Sequence, residues 1–428
     1  MLFAATKCLV FVRRFTIVLA LVLVSANPSG GDEPWNRFRG PNGSGISTAT
    51  TIPVTWTDAD YLWQVELPTG ASSPVVWEDK IFVTGADVDK LERSLLCYSA
   101  TDGKQLWARS VPFTSEKKHA RNSYATNTPT VDAKGVYTLW QSRESSQLIG
   151  YRHDGGELWR LELGPYSSNH GGGISPIVAD GIIALNLAHE GNSFLLAVDA
   201  STGKEHWRIP RTKSKATYST PCVLAAEGGK RQLIFTSWKQ GITAVDLASG
   251  TVLWEQNVFE PEGIEKRAIG SPVTSDGLIY GTCGYTGGKK LLVALDPSAK
   301  TESGEVKELF RSERNTTHMP STLVFNGRVF NWTDSGVIVC LDAKTGKTVW
   351  QARVGGNYSG SPICIDSKLY CLSEDQEMVV IAAADEFQEL ARIKLDSGSS
   401  ATPAVSNGVL YFRTDHKLYA LGRRGSPR

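Results

Sequence analysis

The residues best suited to chemistry lie in short polar runs, each just ahead of a recurring hydroxyl-Pro pair. These runs hold Arg121, Asn122, Tyr124 and Asn127; Asn169 and His170; Lys215 and Tyr218; Lys266 and Arg267; Arg314 and His318; and Asn357 and Tyr358. Cationic side chains interleaved with aromatic rings recognise anionic or hydroxyl-rich ligands, by charge and by directed hydrogen bonds. From them we take Arg121, Tyr124, Asn127, Asn169, His170, Lys215, Tyr218, Arg267, His318 and Tyr358 as a candidate binding set. The competing reading is that these are ordinary solvated loops, polar because they face water. After His170 come Gly171, Gly172 and Gly173, which allow close backbone approach, either to a ligand or in a tight crossover.

Other chemistries fail on spacing. Gly346-Lys347-Thr348 has the ending of a phosphate loop, but Leu341 stands where that loop requires glycine. Ser115 to Lys118 fits Ser-x-x-Lys without any accompanying motif, and His189-Glu190 lacks the second histidine of a zinc helix. The seven histidines show no ligand spacing, so no metal site is expected. Cys97, Cys222, Cys283, Cys340, Cys364 and Cys371 include no Cys-x-x-Cys and no adjacent pair, and they read as small buried core residues.

The elements carrying these loops repeat. Ser73-Pro74, Thr128-Pro129, Ser175-Pro176, Thr220-Pro221, Ser271-Pro272, Ser321-Thr322, Ser361-Pro362 and Thr402-Pro403 recur at a mean spacing of about 47 residues. Each is followed by short apolar runs separated by turn residues such as Asp180-Gly181 and Asp276-Gly277, which suit type I′ hairpins. Trp107, Trp159, Trp207, Trp254 and Trp350 each stand four residues after a glycine, while Phe310 and Leu390 take the tryptophan place in two other units. Four antiparallel strands per unit, eight times over, predict an all-β, eight-bladed β-propeller spanning residues 61–422. The last unit ends after Leu421, one strand short, and the segment around Trp63 (Tyr61 to Leu67) precedes the first unit. An N-terminal strand closing the C-terminal blade is therefore expected.

Asp199-Ala200-Ser201-Thr202-Gly203-Lys204-Glu205-His206-Trp207, and its counterpart Asp342 to Trp350, resemble the tryptophan-docking repeat of quinoprotein-type propellers. That family includes pyrroloquinoline-quinone (PQQ) dehydrogenases and the non-enzymatic assembly factor of the outer-membrane Bam machinery. The resemblance implies eight blades, with Trp63, Trp107, Trp159, Trp207, Trp254 and Trp350 as structural docking residues. It leaves three functions open. The first is a non-catalytic binding or scaffolding module with an envelope or extracellular protein partner, and no redox cofactor. The second is a PQQ- and calcium-dependent dehydrogenase of alcohols or sugars, and the third is a glycan- or polymer-binding propeller. Dehydrogenases of the family commonly carry an adjacent cysteine pair and long insertions, and this chain has neither, so the non-catalytic reading is preferred.

Lys7, Arg13 and Arg14, then an apolar run to Val24 and the small residues Ser25-Ala26, predict a signal peptide over residues 1–26. Arg13-Arg14 also permits a twin-arginine address, and no cysteine follows to take a lipid. The expectation is an exported protein, periplasmic or secreted, with neither lipid anchor nor transmembrane segment. Without those three cations, 42 basic residues face 44 acidic ones, which argues against a nucleic-acid partner. Residues 27–60 form a Gly- and Pro-rich lead containing Trp35 to Gly43, expected to pack along the propeller surface or to serve as a docking peptide, and residues 423–428 are a tail.

Overall fold

The structure, a computed structural model, describes residues 34–259, 266–285, 288–314 and 316–422. The proposed signal peptide, the first residues of the lead and the C-terminal tail lie outside the described residues. Eight sheets follow one another along the chain, each with four antiparallel strands. Blade 1 starts at Val75–Trp77, blade 2 at Thr130–Val131, blade 3 at Ile177–Ala179 and blade 4 at Cys222–Ala225. Blades 5 to 8 start at Val273–Ser275, Leu323–Phe325, Ile363–Ile365 and Ala404–Ser406. Among the described residues no helix is long and apolar enough to cross a membrane.

Residue pattern accounts for the layers. Middle strands such as Ile182–Leu187 and Phe194–Asp199 are apolar and buried along almost their whole length, because each is covered by a blade on both sides. Outer strands such as Glu157–Gly164 alternate between exposed and half-buried residues. The hairpin turns hold Asp180 and Gly181 at φ 51° and 74°, and Asp276 and Gly277 at 51° and 78°, the left-handed pair that a type I′ turn demands. Cores form between blades: Ala184, Leu195 and Trp207 of blade 3 pack with Leu233, Phe235 and Val245 of blade 4.

Each docking tryptophan serves the next blade rather than its own. The ring of Trp159 lies over Gly203, where a β-carbon would come within 2.5 Å of it, and its indole N–H donates to Ala200 O at 2.9 Å. Trp107 donates in the same way to His153 O, Trp207 to Leu247 O and Trp350 to Ala384 O. Phe310 covers Gly346, as expected of a stand-in. Trp254 meets no glycine, and Lys300 stacks over its ring at 5.9 Å instead.

Closure follows the sequence expectation. Tyr61–Glu66 pairs antiparallel with Lys417–Leu421 and completes blade 8. Trp63 from that strand donates to Ala100 O at 3.1 Å and covers Gly103 of blade 1, so one segment finishes the last blade and docks on the first.

The described part of the lead packs against the ring, on the first strands of its blades. Trp35 O accepts from Val76 N of blade 1, Asn36 O from Val131 N of blade 2, and Asn42 exchanges two hydrogen bonds with Val223 of blade 4. Ile46–Ser47 then adds a parallel fifth strand to blade 7. The segment thus runs across the inner strands of several blades. There Trp35 joins a hydrophobic core, and terminal guanidinium nitrogens of Arg37 and Arg39 reach carbonyl oxygens.

Candidate functional site

The hydroxyl-Pro repeats form a belt around the central channel. Ser73 N donates to Thr128 Oγ1, and Thr128 N to Ser175 Oγ; Thr220 N donates to Ser271 Oγ, and Ser271 N to Ser321 Oγ. The series continues from Ser321 N to Ser361 Oγ, from Ser361 N to Thr402 Oγ1, and from Thr402 N back to Ser73 Oγ, each of the seven bonds spanning 2.9–3.0 Å. Except after Ser321, where Thr322 follows, the proline after each hydroxyl fixes φ and removes an N–H that would otherwise need a partner, which leaves the preceding amide to reach the neighbouring blade. These residues were legible as a repeat but not as a belt.

On one side of the belt lies a cavity of about 400 Å³. Belt hydroxyls, Phe38 of the lead, Ile269 and Met319 line its depth, and His119, Arg121, Asn122, His170, Tyr218, Arg267, Tyr285 and His318 stand around them. Of the ten candidate residues, the structure brings Arg121, His170, Tyr218, Arg267 and His318 together here.

The other five do not line this cavity. Tyr358 is fully buried with its ring edge-on to Trp332 at 5.2 Å, and the Asn127 amide is consumed by Gln141 Oε1 and Ile174 O. Tyr124 packs on Phe113 at 4.5 Å and donates to Glu116 O. Lys215 pairs with Glu190 at 3.5 Å, and Asn169 points to solvent. Position ahead of a hydroxyl-Pro pair places a residue in the right loop but does not set which way its side chain turns.

The Asn169 to Gly173 loop is a clasped crossover. Asn122 donates to His170 O at 2.6 Å and Gly172 O at 2.9 Å, and the Tyr218 hydroxyl donates to Gly171 O. A side chain on Gly172 would strike Gln141, and one on Gly173 would press on Tyr218. That packing holds the His170 ring 3.1 Å from an Arg267 guanidinium nitrogen and stacked on His119 at 5.2 Å. Burial, then the charge of Arg267 and the neighbouring His119, depress the His170 pKa below its ordinary value. His318 is pushed down to about 4, first by burial, with Asp334 opposing the shift. Both imidazoles are therefore neutral at pH 7, and the positive charge on the channel wall belongs to Arg121 and Arg267.

Carboxylates approach only from outside the lining: Glu374 lies 3.4 Å from Arg121, and Glu190 lies 3.6 Å from Arg267. No Asp or Glu is among the residues that line the cavity. Calcium is held by six to eight oxygen ligands, usually including carboxylates, and alcohol oxidation at a quinone needs a base beside it. Among the described residues no three His, Cys, Asp or Glu side chains converge as a metal site. The donor set does not fit a calcium-bound quinone. The six cysteines are buried free thiols, as their spacing suggested.

A family model described as "Outer membrane protein assembly factor BamB" matches residues 54–165, 125–301 and 288–428. The chain belongs to this family of PQQ-repeat propellers. Among curated BamB-family relatives, the outer membrane protein assembly factor BamB of Burkholderia pseudomallei (strain K96243) is 23% identical over 378 residues, 83% of this chain and 86% of that one. The BamB of Moranella endobia (strain PCIT) is 24% identical over 293 residues, 65% of this chain and 66% of its own, so less than two thirds of that relative is matched. A quinohemoprotein alcohol dehydrogenase of Comamonas testosteroni is 26% identical over 37% of this chain and 25% of its own length. Among solved structures, BamB from Moraxella catarrhalis superposes with TM-score 0.58 at 16% identity, covering 86% of this chain and 99% of that one. A europium-containing methanol dehydrogenase superposes with TM-score 0.68 at 11% identity, covering 91% and 98%. At these identities the structural likeness speaks for the BamB-family fold alone, and the relatives include both assembly factors and quinoprotein dehydrogenases.

Proposed function

We propose that this chain is an exported, non-catalytic propeller that acts as a binding or scaffolding module of the bacterial envelope, with a protein partner and no redox cofactor. The observation that carries the reading is a BamB-family ring whose central cavity is lined without a single carboxylate. Such a cavity lacks both calcium ligands and a base, whereas a rigid ring with loops on one face presents a broad docking surface. Exchanging the purified protein into envelope extract and capturing it should retain a defined envelope protein. Capture of nothing above the background of an unrelated exported propeller refutes the scaffold. Reconstitution with PQQ and calcium should give no dye reduction with alcohols or sugars, and turnover would restore the dehydrogenase reading.

A further inference from the structure

Of the lead residues Arg37, Phe38 and Arg39, Phe38 borders the central cavity, and the two arginines are buried beside it in sequence without lining it. Arg37 and Arg39 are 4% and 0% exposed, and their guanidinium groups reach only carbonyl oxygens: Pro221 O for Arg37, and Thr322 O, Ser44 O and Pro362 O for Arg39. Among the described residues neither forms an ion pair, and Nε of each has no partner. A buried charge without a counter-charge is costly, and carbonyl dipoles offset only part of that cost. Seven belt hydroxyls accept from neighbouring amides, and none of the seven donates to a protein acceptor among the described residues. A hydroxyl whose lone pair is already used keeps its proton to offer, and those of Ser73, Ser271 and Ser321 border the cavity. Arg121 and Arg267 add two guanidinium groups to a wall that no Asp or Glu lines.

We infer that the central channel is a binding site for a small molecule bearing an oxyanion, a phosphate, sulfate or carboxylate group, which enters past Arg121 and Arg267 and sits above Phe38 on the hydroxyl belt. The ligand's negative charge meets Arg121, Arg267 and the hydroxyl protons of the belt, and Phe38, Ile269 and Met319 accept its apolar body. The site requires neither calcium nor a quinone. It also stands apart from the scaffold reading, since a protein partner can dock on the loops whether or not the channel is filled.

The test is titration calorimetry of the mature protein at constant ionic strength with inorganic phosphate, sulfate, citrate and glucose 6-phosphate, with glucose as the neutral control. At least one of the anions should bind at submillimolar concentration with one-to-one stoichiometry, and glucose should give no heat. Preference for citrate assigns a carboxylate, and preference for phosphate or sulfate assigns that ester. Arg121→Gln with Arg267→Gln should weaken the preferred anion at least tenfold while circular dichroism stays unchanged. If the double variant fails to fold, Arg121→Gln alone, at a side chain about one third exposed, should still weaken it several-fold. Absence of binding by every anion at 10 mM, or binding that both variants leave intact, overturns the site.

Discussion

Ring closure by Tyr61–Glu66 can be tested through one side chain. In Trp63→Ala the β-strand pairing is retained, but the indole leaves the face of Gly103 and the Ala100 carbonyl loses its donor. Full burial of such a ring is worth about 3–5 kcal/mol; because Trp63 is only half-buried, the lower end, about 3 kcal/mol with the hydrogen bond included, applies. With an unfolding entropy of ~2.1 cal/mol/K per residue over the roughly 360 residues of the ring, that loss lowers the melting temperature by about 4 °C. Trp159→Ala, at an interior docking site of the same geometry, provides the comparison by scanning calorimetry. Trp63→Ala should differ in kind: blades 1 and 8 should become sensitive to limited proteolysis, because opening there breaks the ring. Equal stability of Trp63→Ala and the unaltered protein, or cleavage spread evenly around the blades in both variants, would refute it.

Three further outcomes follow from the geometry. Gly203→Ala places a β-carbon 2.5 Å from the Trp159 ring at a residue with φ 71°, and should cost on the order of 2–3 kcal/mol in denaturant unfolding, against about 1 kcal/mol for the control Gly304→Ala, where φ is also positive but the β-carbon meets no neighbour and only the backbone term acts. His170 and His318 have folded pKa values below the unfolded value, so the unfolded chain takes up protons first; stability should fall as pH drops from about 6.5 towards 4, and His318→Asn should flatten that slope in pH-dependent melts. The six free cysteines are buried, and burial pushes Cys97, Cys222, Cys340 and Cys364 up to about 12; a thiol reagent should label none of these six in the native protein and all six in guanidinium.

The blades were legible because each is local. A hydroxyl-Pro pair, a left-handed turn and a glycine four residues before a tryptophan lie within about 47 residues of chain, so pattern alone placed every blade. The missing final strand even exposed the closure. The lead was not legible, because Arg37 and Arg39 find their carbonyls 184 to 323 residues away, and no short-range pattern reports such distances. The candidate site was half legible for a similar reason. Arg121, His170 and Arg267 were found from the loops that carry them, whereas Tyr358 and Asn127 sit in equivalent positions and turn into the core. His119 was within reach, two residues before Arg121 in the same polar run, but Phe38 carried no signal until the lead was seen to cross the channel.

The proposal that this BamB-family ring binds rather than oxidises is tested most directly by equilibrium dialysis of purified residues 27–428 against PQQ with and without calcium. No calcium-dependent uptake is expected, since no carboxylate lines the cavity to hold the ion. Stoichiometric quinone retained only when calcium is present would contradict it.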